Sequence, residues 1–429
     1  MADLLELSSR IIDERITDER AVRITNELSE LDDAIAMVES FSNVVALRTT
    51  AGLTLFDASG KATAPGVIDS LRAWSDEPVH TLVYTHGHID HVGGSGAFVA
   101  DGRARGHRDP AVVGHEQVQA RFERYRTTDG WNRSINARQF GATRRAGGAM
   151  LDGDRFLPDD VAECTTTFSD RTGLRVGDLR VELRHARGET DDHAWAWLPE
   201  HRAVVVGDFL VWAFPNAGNP QKVQRYPSEW AAALRAMAAL EPELLLPAHG
   251  LPIGGRDRIA SVLDTISGAL ERLVADVLDG MNAGAVLDEI VHSVRVDPDV
   301  LALPFLRPTY DEPEFIVRNV WRLYGGWWDG DPAQLKPAPK GALATELAAL
   351  TGGTGPLVQR ARALSDGGDH RLACHLVELA VQADPDDGEA HAARAEIYEA
   401  RRSTETSLMA KAIYRSAATE SRASADDQV

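Results

Sequence analysis

The chain has 429 residues, of which 44% are hydrophobic and 26% charged, and its formal net charge is −20. A single hydrophobic core stops growing at roughly 250–300 residues, so this length predicts two domains. An acidic surface repels phosphate backbones, which argues against nucleic acid as a partner. An anionic substrate would need a local positive centre, such as a metal ion.

The two cysteines, Cys164 and Cys374, provide neither a disulfide framework nor a thiolate metal site. The N-terminal segment lacks a basic region followed by an apolar run, so no signal peptide is predicted. No stretch approaches about 18 uninterrupted apolar residues, so no membrane span is expected. These features favour a cytoplasmic protein, although they are also compatible with secretion.

The first 250 residues have an α/β pattern in which short apolar runs alternate with helical stretches. A helix is predicted from Ser228 to Leu240, opened by Pro227. The interval from about 101 to 160, rich in Arg and Gly, is predicted as loops and short helices over the active face. The runs that predict buried strands are 44–47, 53–56, 81–84, 203–206 and 243–246.

After residue 255 the pattern becomes helical. One stretch, 372–400, has two helical segments separated by Asp384-Pro385, typical of a hairpin of antiparallel helices. This change of pattern predicts domains of residues 1–255 and 256–425. Helices are predicted at 256–281, 342–350, 356–365, 370–383, 388–400 and 407–418.

Four potential metal ligands lie together in the segment 85–91, directly after an apolar run. His86 and His88 alternate along an extended chain, so both side chains can reach one metal ion. Asp90 and His91 stand where the chain turns, and can reach a second ion nearby. Imidazole nitrogen and carboxylate oxygen suit zinc. A polar loop with hydrogen-bonded histidines is the alternative, which the preceding strand and the following Gly93-Gly94 disfavour.

This His-x-His-x-Asp-His motif resembles the metallo-β-lactamase superfamily. The resemblance implies an αββα sandwich and further ligands at strand ends on the same face. Three candidates follow strand-like runs, namely Glu189, Asp208 and His249. Ordinary polar residues at strand ends are the alternative for each.

Glu189 departs from the superfamily pattern, in which this ligand is usually His. A Glu here resembles the alkylsulfatase branch, whereas Asp208 is closer to the wider superfamily than to that branch. His193 is the rival ligand, or else a hydrogen-bond partner of a ligand carboxylate.

The C-terminal part also resembles alkylsulfatases. Residues 319–332 contain an aromatic Gly-Gly-Trp-Trp-Asp-Gly-Asp-Pro segment, and 412–418 resemble the end of their helical dimerisation domain. The expected fold is therefore an α/β metallo-β-lactamase sandwich followed by an all-α dimerisation domain that forms a homodimer. The tryptophans of this segment, Trp321, Trp327 and Trp328, could alternatively serve only to pack the core.

The segment after Asp208 departs from the branch, because the histidines and threonine expected there are absent from 209–216. Two sets of residues are candidates for contacts with the substrate. Asn216 and Tyr310 are polar candidates for catalysis, and Lys222 and Arg225 are candidates for binding the anionic group, although the last two could be solvated surface residues. Trp212 and Phe214 would line the pocket or belong to the core.

The resemblance implies a hydrolase in which two Zn²⁺ ions activate a water molecule. Asp90 would also act as a catalytic residue. Mn or Fe ions would accept the same ligands. The leading hypothesis is hydrolysis of an alkyl sulfate ester, a small anionic substrate. A phosphoester or lactone hydrolase is the alternative, favoured because the arginine that is expected to bind sulfate in alkylsulfatases has no clear counterpart here. A non-catalytic metal-binding interaction protein is a third hypothesis.

Overall fold

The computed structural model describes residues 3–141 and 155–426, with side chains up to 424. The described residues form two compact units. The first comprises 3–129 and 155–326, and the second comprises 130–141 and 327–426.

The described strands of the first unit form two sheets, as expected for the predicted sandwich. The seven-stranded sheet keeps chain order: antiparallel from its first strand to its fourth, then parallel to its seventh. Its strands are β1 (Leu28–Glu30), β2 (Ile35–Val38), β3 (Val44–Thr49), β4 (Gly52–Phe56), β5 (Val79–Val83), β6 (Ala111–His115) and β7 (Thr166–Phe168).

The six-stranded sheet runs in the order β13-β12-β11-β10-β9-β8. All its neighbours are antiparallel except β11 and β12, which are parallel. Its strands are β8 (Arg171–Val176), β9 (Leu179–His185), β10 (Ala194–Leu198), β11 (Ala203–Gly207), β12 (Leu244–Pro247) and β13 (Ile253–Gly254).

Both sheets contribute to one hydrophobic core, in which Val45 and Leu47 of the first sheet join Val204 and Leu245 of the second. Strand β11 is buried along its whole length. A strand buried on both faces needs an uninterrupted apolar run, and this is why such runs predicted the central strands correctly.

The helices of the first unit flank the sheets. Helix α8, predicted as part of the second domain, contributes Ile259, Leu263 and Leu270 to the same core as the sheets. The helices are α1 (Leu4–Asp13), α2 (Ala64–Trp74), α3 (Ile89–Val92), α4 (Ser95–Ala104), α5 (Gln117–Thr127), α7 (Pro227–Ala238), α8 (Arg256–Asn282), α9 (Leu287–Ser293), α10 (Pro298–Leu301) and α11 (Pro313–Gly325).

The interval 101–160 contains α5, but also strand β6, which was not predicted. The apolar run of β6 is Ala111-Val112-Val113, and so short a run does not stand out in an interval rich in Arg and Gly. Pairing with β5 supplies the hydrogen bonds that make it a strand. Residues 142–154 of this interval lie outside the described part of the chain.

The second unit is helical in its described residues. The predicted hairpin is present as α15 and α16, and Asp387 caps α16 by accepting a hydrogen bond of 3.0 Å from the amide of Ala390. The helices are α6 (Asp129–Gln139), α12 (Pro332–Leu335), α13 (Lys340–Thr351), α14 (Thr354–Asp366), α15 (His370–Ala383), α16 (Gly388–Thr404) and α17 (Leu408–Asp426). Across the ranges described, no helix combines the length and apolarity that crossing a bilayer would require.

A valine pair tests the assignment of the core. Val204 is 0% exposed, whereas Val223 in the same unit is 48% exposed. Val204→Ala should lower the free energy of unfolding by about 2–3 kcal/mol, because it removes buried methyl groups and leaves a cavity. Val223→Ala should change it by less than about 0.5 kcal/mol. Guanidinium unfolding followed by circular dichroism measures both, and equal effects would contradict the burial of β11.

Candidate metal centre

The ends of three strands, β5, β11 and β12, lead to six of the predicted ligands, and Glu189 lies in the loop between β9 and β10. The chain leaves β5 at Val83 and reaches His86 and His88, and α3 then carries Asp90 and His91. Asp208 follows β11 and His249 follows β12. Since β11 and β12 are parallel, their carboxyl ends meet at one edge of the sheet.

The first ligand group consists of His86, His88 and Asp208, whose ligand atoms all lie within 4.8 Å of one another. Nε2 of His86 is 2.9 Å from Nδ1 of His88 and 3.8 Å from Oδ2 of Asp208. Burial lowers the pKa values of both histidines well below their usual range, which favours the neutral imidazoles that a metal ion requires.

The second ligand group consists of Asp90, His91 and His249. Nε2 of His249 lies 3.5 Å from Oδ2 of Asp90 and 3.5 Å from Oδ1 of Asp208. Nε2 of His91 lies 3.4 Å from the same Oδ1. The two oxygens of Asp208 therefore face different groups, so this carboxylate joins them.

The donor set fits metal ions. Nε2 of His91 and Oδ1 of Asp208 are buried without a hydrogen-bond partner among the described residues, and their separation is long for a hydrogen bond. Native proteins rarely leave such atoms unpaired, except where they bind an ion or another group. Although burial opposes it, the charges of Asp208, Asp90 and Asp57 raise the pKa of His91 well above its usual value. The carboxylates therefore favour positive charge at this position.

Glu189 lies beside the first group, with Oε1 3.5 Å from Nδ1 of His88. The same oxygen accepts a hydrogen bond of 2.6 Å from Nδ2 of Asn216 and lies 2.6 Å from Nη1 of Arg225. Burial raises the pKa of Glu189 to about 8, the charge of Arg225 opposes this, and that of Asp208 reinforces it. Glu189 is thus a buried carboxylate held between the ligand group and a buried guanidinium.

His193 is buried next to the first ligand group, in contact with His86. Its Nε2 accepts a hydrogen bond of 3.1 Å from the backbone N–H of Asp208, and its ring stacks on His86 at 4.7 Å between centroids. Burial lowers its pKa to about 3, so the ring is neutral. One ring nitrogen is therefore directed at the backbone of a ligand residue.

Asp57, at the end of β4, fixes the orientation of His91. Its Oδ2 is 2.8 Å from Nδ1 of His91, and its two oxygens accept hydrogen bonds of 2.8 Å from the N–H and Oγ1 of Thr85. Ser42 Oγ also lies 3.1 Å from Nδ1 of His91. The contact with Asp57 directs the other ring nitrogen, Nε2, toward the ligand groups.

Asp192 fixes the loop between His86 and His88. Its Oδ2 accepts hydrogen bonds of 2.9 Å from the N–H of Gly87 and 2.9 Å from Nε of Arg121. Gly87 leaves no room for a side chain, since a Cβ would lie 2.9 Å from both residues. Helix α5 therefore helps to hold the first two ligands.

Lys222 and Tyr310 are half-buried beside the ligand groups. Burial lowers the pKa of Lys222 to about 8, Arg225 acts in the same direction, and Asp90 and Glu189 oppose it. Burial, together with the charges of Glu189 and Asp90, raises the pKa of Tyr310, so its phenol stays protonated. The Lys222 ammonium and the Tyr310 phenol are therefore both close enough to Asp90 and Glu189 to feel their charges.

Trp212 and Phe214 are buried in the core. The indole of Trp212 donates a hydrogen bond of 2.8 Å to the carbonyl of Leu251, and a Cβ on Gly250 would lie 2.4 Å from its ring. Trp212 thus packs under the loop that carries His249.

The contributions of Asp57, Asp192 and Arg121 were missed in the sequence. Asp57 follows the predicted strand 53–56, so the strand-end argument used for Asp208 would also have found it. Asp192 and Arg121 carry no comparable signal, because only the tertiary fold brings α5 to Gly87.

Two family models match the chain in succession. Residues 37–249 match the metallo-beta-lactamase superfamily, and residues 286–424 match the alkyl sulfatase dimerisation family. The domain boundary predicted after residue 255 falls between these matches and stays a prediction.

A linear primary-alkylsulfatase from a Pseudomonas species is 28% identical over 75% of this chain and 62% of its own length. An (R)-specific secondary-alkylsulfatase from Pseudomonas sp. is 25% identical over 83% of this chain and 56% of its own. This chain thus spans less than two thirds of either relative.

The solved structure of a stereoselective inverting sec-alkylsulfatase from Pseudomonas sp. superposes with a TM-score of 0.80. It is 22% identical and covers 92% of this chain and 66% of its own. The likeness confirms the predicted fold, a sandwich of α/β type followed by a helical domain. The chain therefore carries a region of the metallo-β-lactamase superfamily at residues 37–249 and a region of the alkyl sulfatase dimerisation family at residues 286–424.

Proposed function

We propose that the protein is a binuclear metal hydrolase that cleaves an alkyl sulfate ester. The observation that carries this proposal is the pair of ligand groups that meet at Asp208, because two adjacent ions suit hydrolysis of an anionic ester. The names of the relatives support the sulfate ester as the bond cleaved.

We assign Glu189 to the first metal ion together with His86, His88 and Asp208. Its distance of 3.5 Å from His88 and its proximity to Asp208 support this assignment. His193 instead orients the backbone of Asp208 through their hydrogen bond. Nitrogen and oxygen ligands of this kind favour Zn²⁺.

When bound, the metal ions supply an activated water and neutralise charge on the ester. Asp90, within 3.5 Å of His249, is placed to orient that water. We assign the binding of the anionic group to Lys222, and hydrogen bonding to the leaving oxygen to Asn216 and Tyr310. Arg225 serves a different purpose, since its ion pair with Glu189 neutralises a ligand carboxylate.

A phosphoester or lactone is the alternative substrate. It is favoured by the segment 209–216, in which Trp212 and Phe214 are buried and no histidine is available to contact a sulfate. We also propose that the helical domain forms a homodimer, which its match to the dimerisation family supports.

Metal analysis tests the central proposal. Purified protein should contain about two Zn²⁺ per chain and hydrolyse dodecyl sulfate, and His86→Ala should reduce turnover by about 100-fold or more, because it removes a ligand. His292→Ala, whose imidazole is exposed, is the matched control and should have full activity.

If the protein binds two metal ions but releases no sulfate from dodecyl sulfate, the proposed substrate becomes a phosphoester or a lactone. A chain that binds metal but hydrolyses none of these esters would support the non-catalytic hypothesis. A chain that takes up no metal on titration would contradict the metal centre itself.

Asp57→Asn tests the support of His91. The amide keeps the size of the side chain but can present its N–H to the ring, so we expect metal affinity or turnover to fall by about 10–100-fold. Isothermal titration with Zn²⁺ after chelation should show the loss at one of two sites. Asp178→Asn, on an exposed carboxylate that caps the amide of Thr50 at 2.9 Å, should leave both sites intact.

Lys222 and Arg225 should respond differently to substitution. Lys222→Met should raise KM for dodecyl sulfate by about 10-fold or more with two metals still bound, because it removes only an anion contact. Arg225→Met should lower both metal content and stability, because it leaves Glu189 buried without its counter-charge. Metal analysis, thermal melting and KM measure these effects, and identical behaviour of the two variants would refute the division of roles.

A further inference from the structure

The loop between β2 and β3, residues 39–43, is buried except for one aromatic side chain. Glu39, Ser40, Ser42 and Asn43 are at most 2% exposed, whereas Phe41 is 40% exposed. Loops usually bury their apolar residues and expose their polar ones. The opposite pattern here needs an explanation.

The loop is held rigidly. Asn43 Nδ2 donates hydrogen bonds of 3.1 Å and 2.8 Å to the carbonyls of Pro247 and Gly250. The N–H of Asn43 donates one of 2.6 Å to the carbonyl of Ala248. The N–H of Ser40 donates one of 3.2 Å to Oδ1 of Asn43, so hydrogen bonds hold the chain on both sides of Phe41.

Phe41 lies next to the metal centre. Its ring contacts His249 edge to face, with centroids 6.1 Å apart and an interplanar angle of 83°. Ser42, the next residue, reaches His91 at 3.1 Å. The exposed aromatic surface is thus in contact with the second ligand group.

We propose that Phe41 binds the apolar chain of the ester substrate and so sets a preference for long chains. This inference rests on the proposed hydrolysis of an alkyl ester and extends it to the part of the substrate that does not react. An ester whose anionic head is held by the metal ions and Lys222 must direct its chain out of the centre. A rigid aromatic ring beside His249 offers that chain apolar surface at little entropic cost.

Binding of alkanesulfonates, which carry the anionic head but no ester bond, tests the inference without turnover. Calorimetry on the zinc-loaded protein should show decanesulfonate binding more tightly than hexanesulfonate. In Phe41→Ala this preference should shrink by about 4- to 15-fold, the equivalent of one or two methylene groups no longer buried. Phe41→Leu should keep most of the preference. Leu350→Ala, which removes a side chain that is 82% exposed, should keep all of it.

An unchanged preference in Phe41→Ala would overturn the inference. An equal loss of affinity for both sulfonates would also overturn it, because Phe41 would then act through His249. Equal affinities of the unmodified protein for decanesulfonate and hexanesulfonate would likewise overturn the inference. Turnover of dodecyl sulfate by the unmodified protein is measured separately. A protein that prefers long sulfonates but releases no sulfate would refute the proposed function and leave the role of Phe41 standing.

Discussion

The site depends on carboxylates buried against one another. Glu189 and Asp208 are buried and Asp90 is half-buried beside the imidazoles of the ligand groups, and the like charges of these carboxylates require positive charge between them. The carboxylates accordingly raise the pKa of His91, which favours the protonated, positively charged imidazole. Divalent cations meet the same requirement with a larger charge, and this links the binding of metal to the stability of the fold.

Arg225 shows how a ligand substitution is compensated. Under the proposed assignment, Glu189 in place of a His adds a negative charge to the ligand set, and its buried ion pair with Arg225 at 2.6 Å returns a positive one. Asn216 adds a neutral hydrogen bond to the same oxygen. The first ligand group would then keep nearly the charge that a histidine ligand gives it, and Lys222 would remain for the anionic substrate that we propose.

The sequence predicted the fold class correctly because its signals are local, since strands such as β11 are uninterrupted apolar runs. The four potential ligands of residues 86–91 are an equally local pattern, and the structure brings them close to Asp208 and His249. Strand β6 and the positions of Arg121 and Asp192 were missed, because each depends on a partner distant in sequence. The orientation of Arg225 toward Glu189 could not be predicted either, since residue type alone does not separate an ion pair inside the protein from an anion contact at its surface.

Asn43 joins parts of the chain that are 204 and 207 residues apart, through its bonds to Pro247 and Gly250. Closing a loop of this length costs conformational entropy, and proteins rich in such distant contacts fold slowly. His249 reaches the other ligands only once β12 has docked near the N-terminal hairpin. The ligands on 86–91 are present on the nascent chain long before that, so the order of events during synthesis is a partial site first and a complete one only after the first unit has closed.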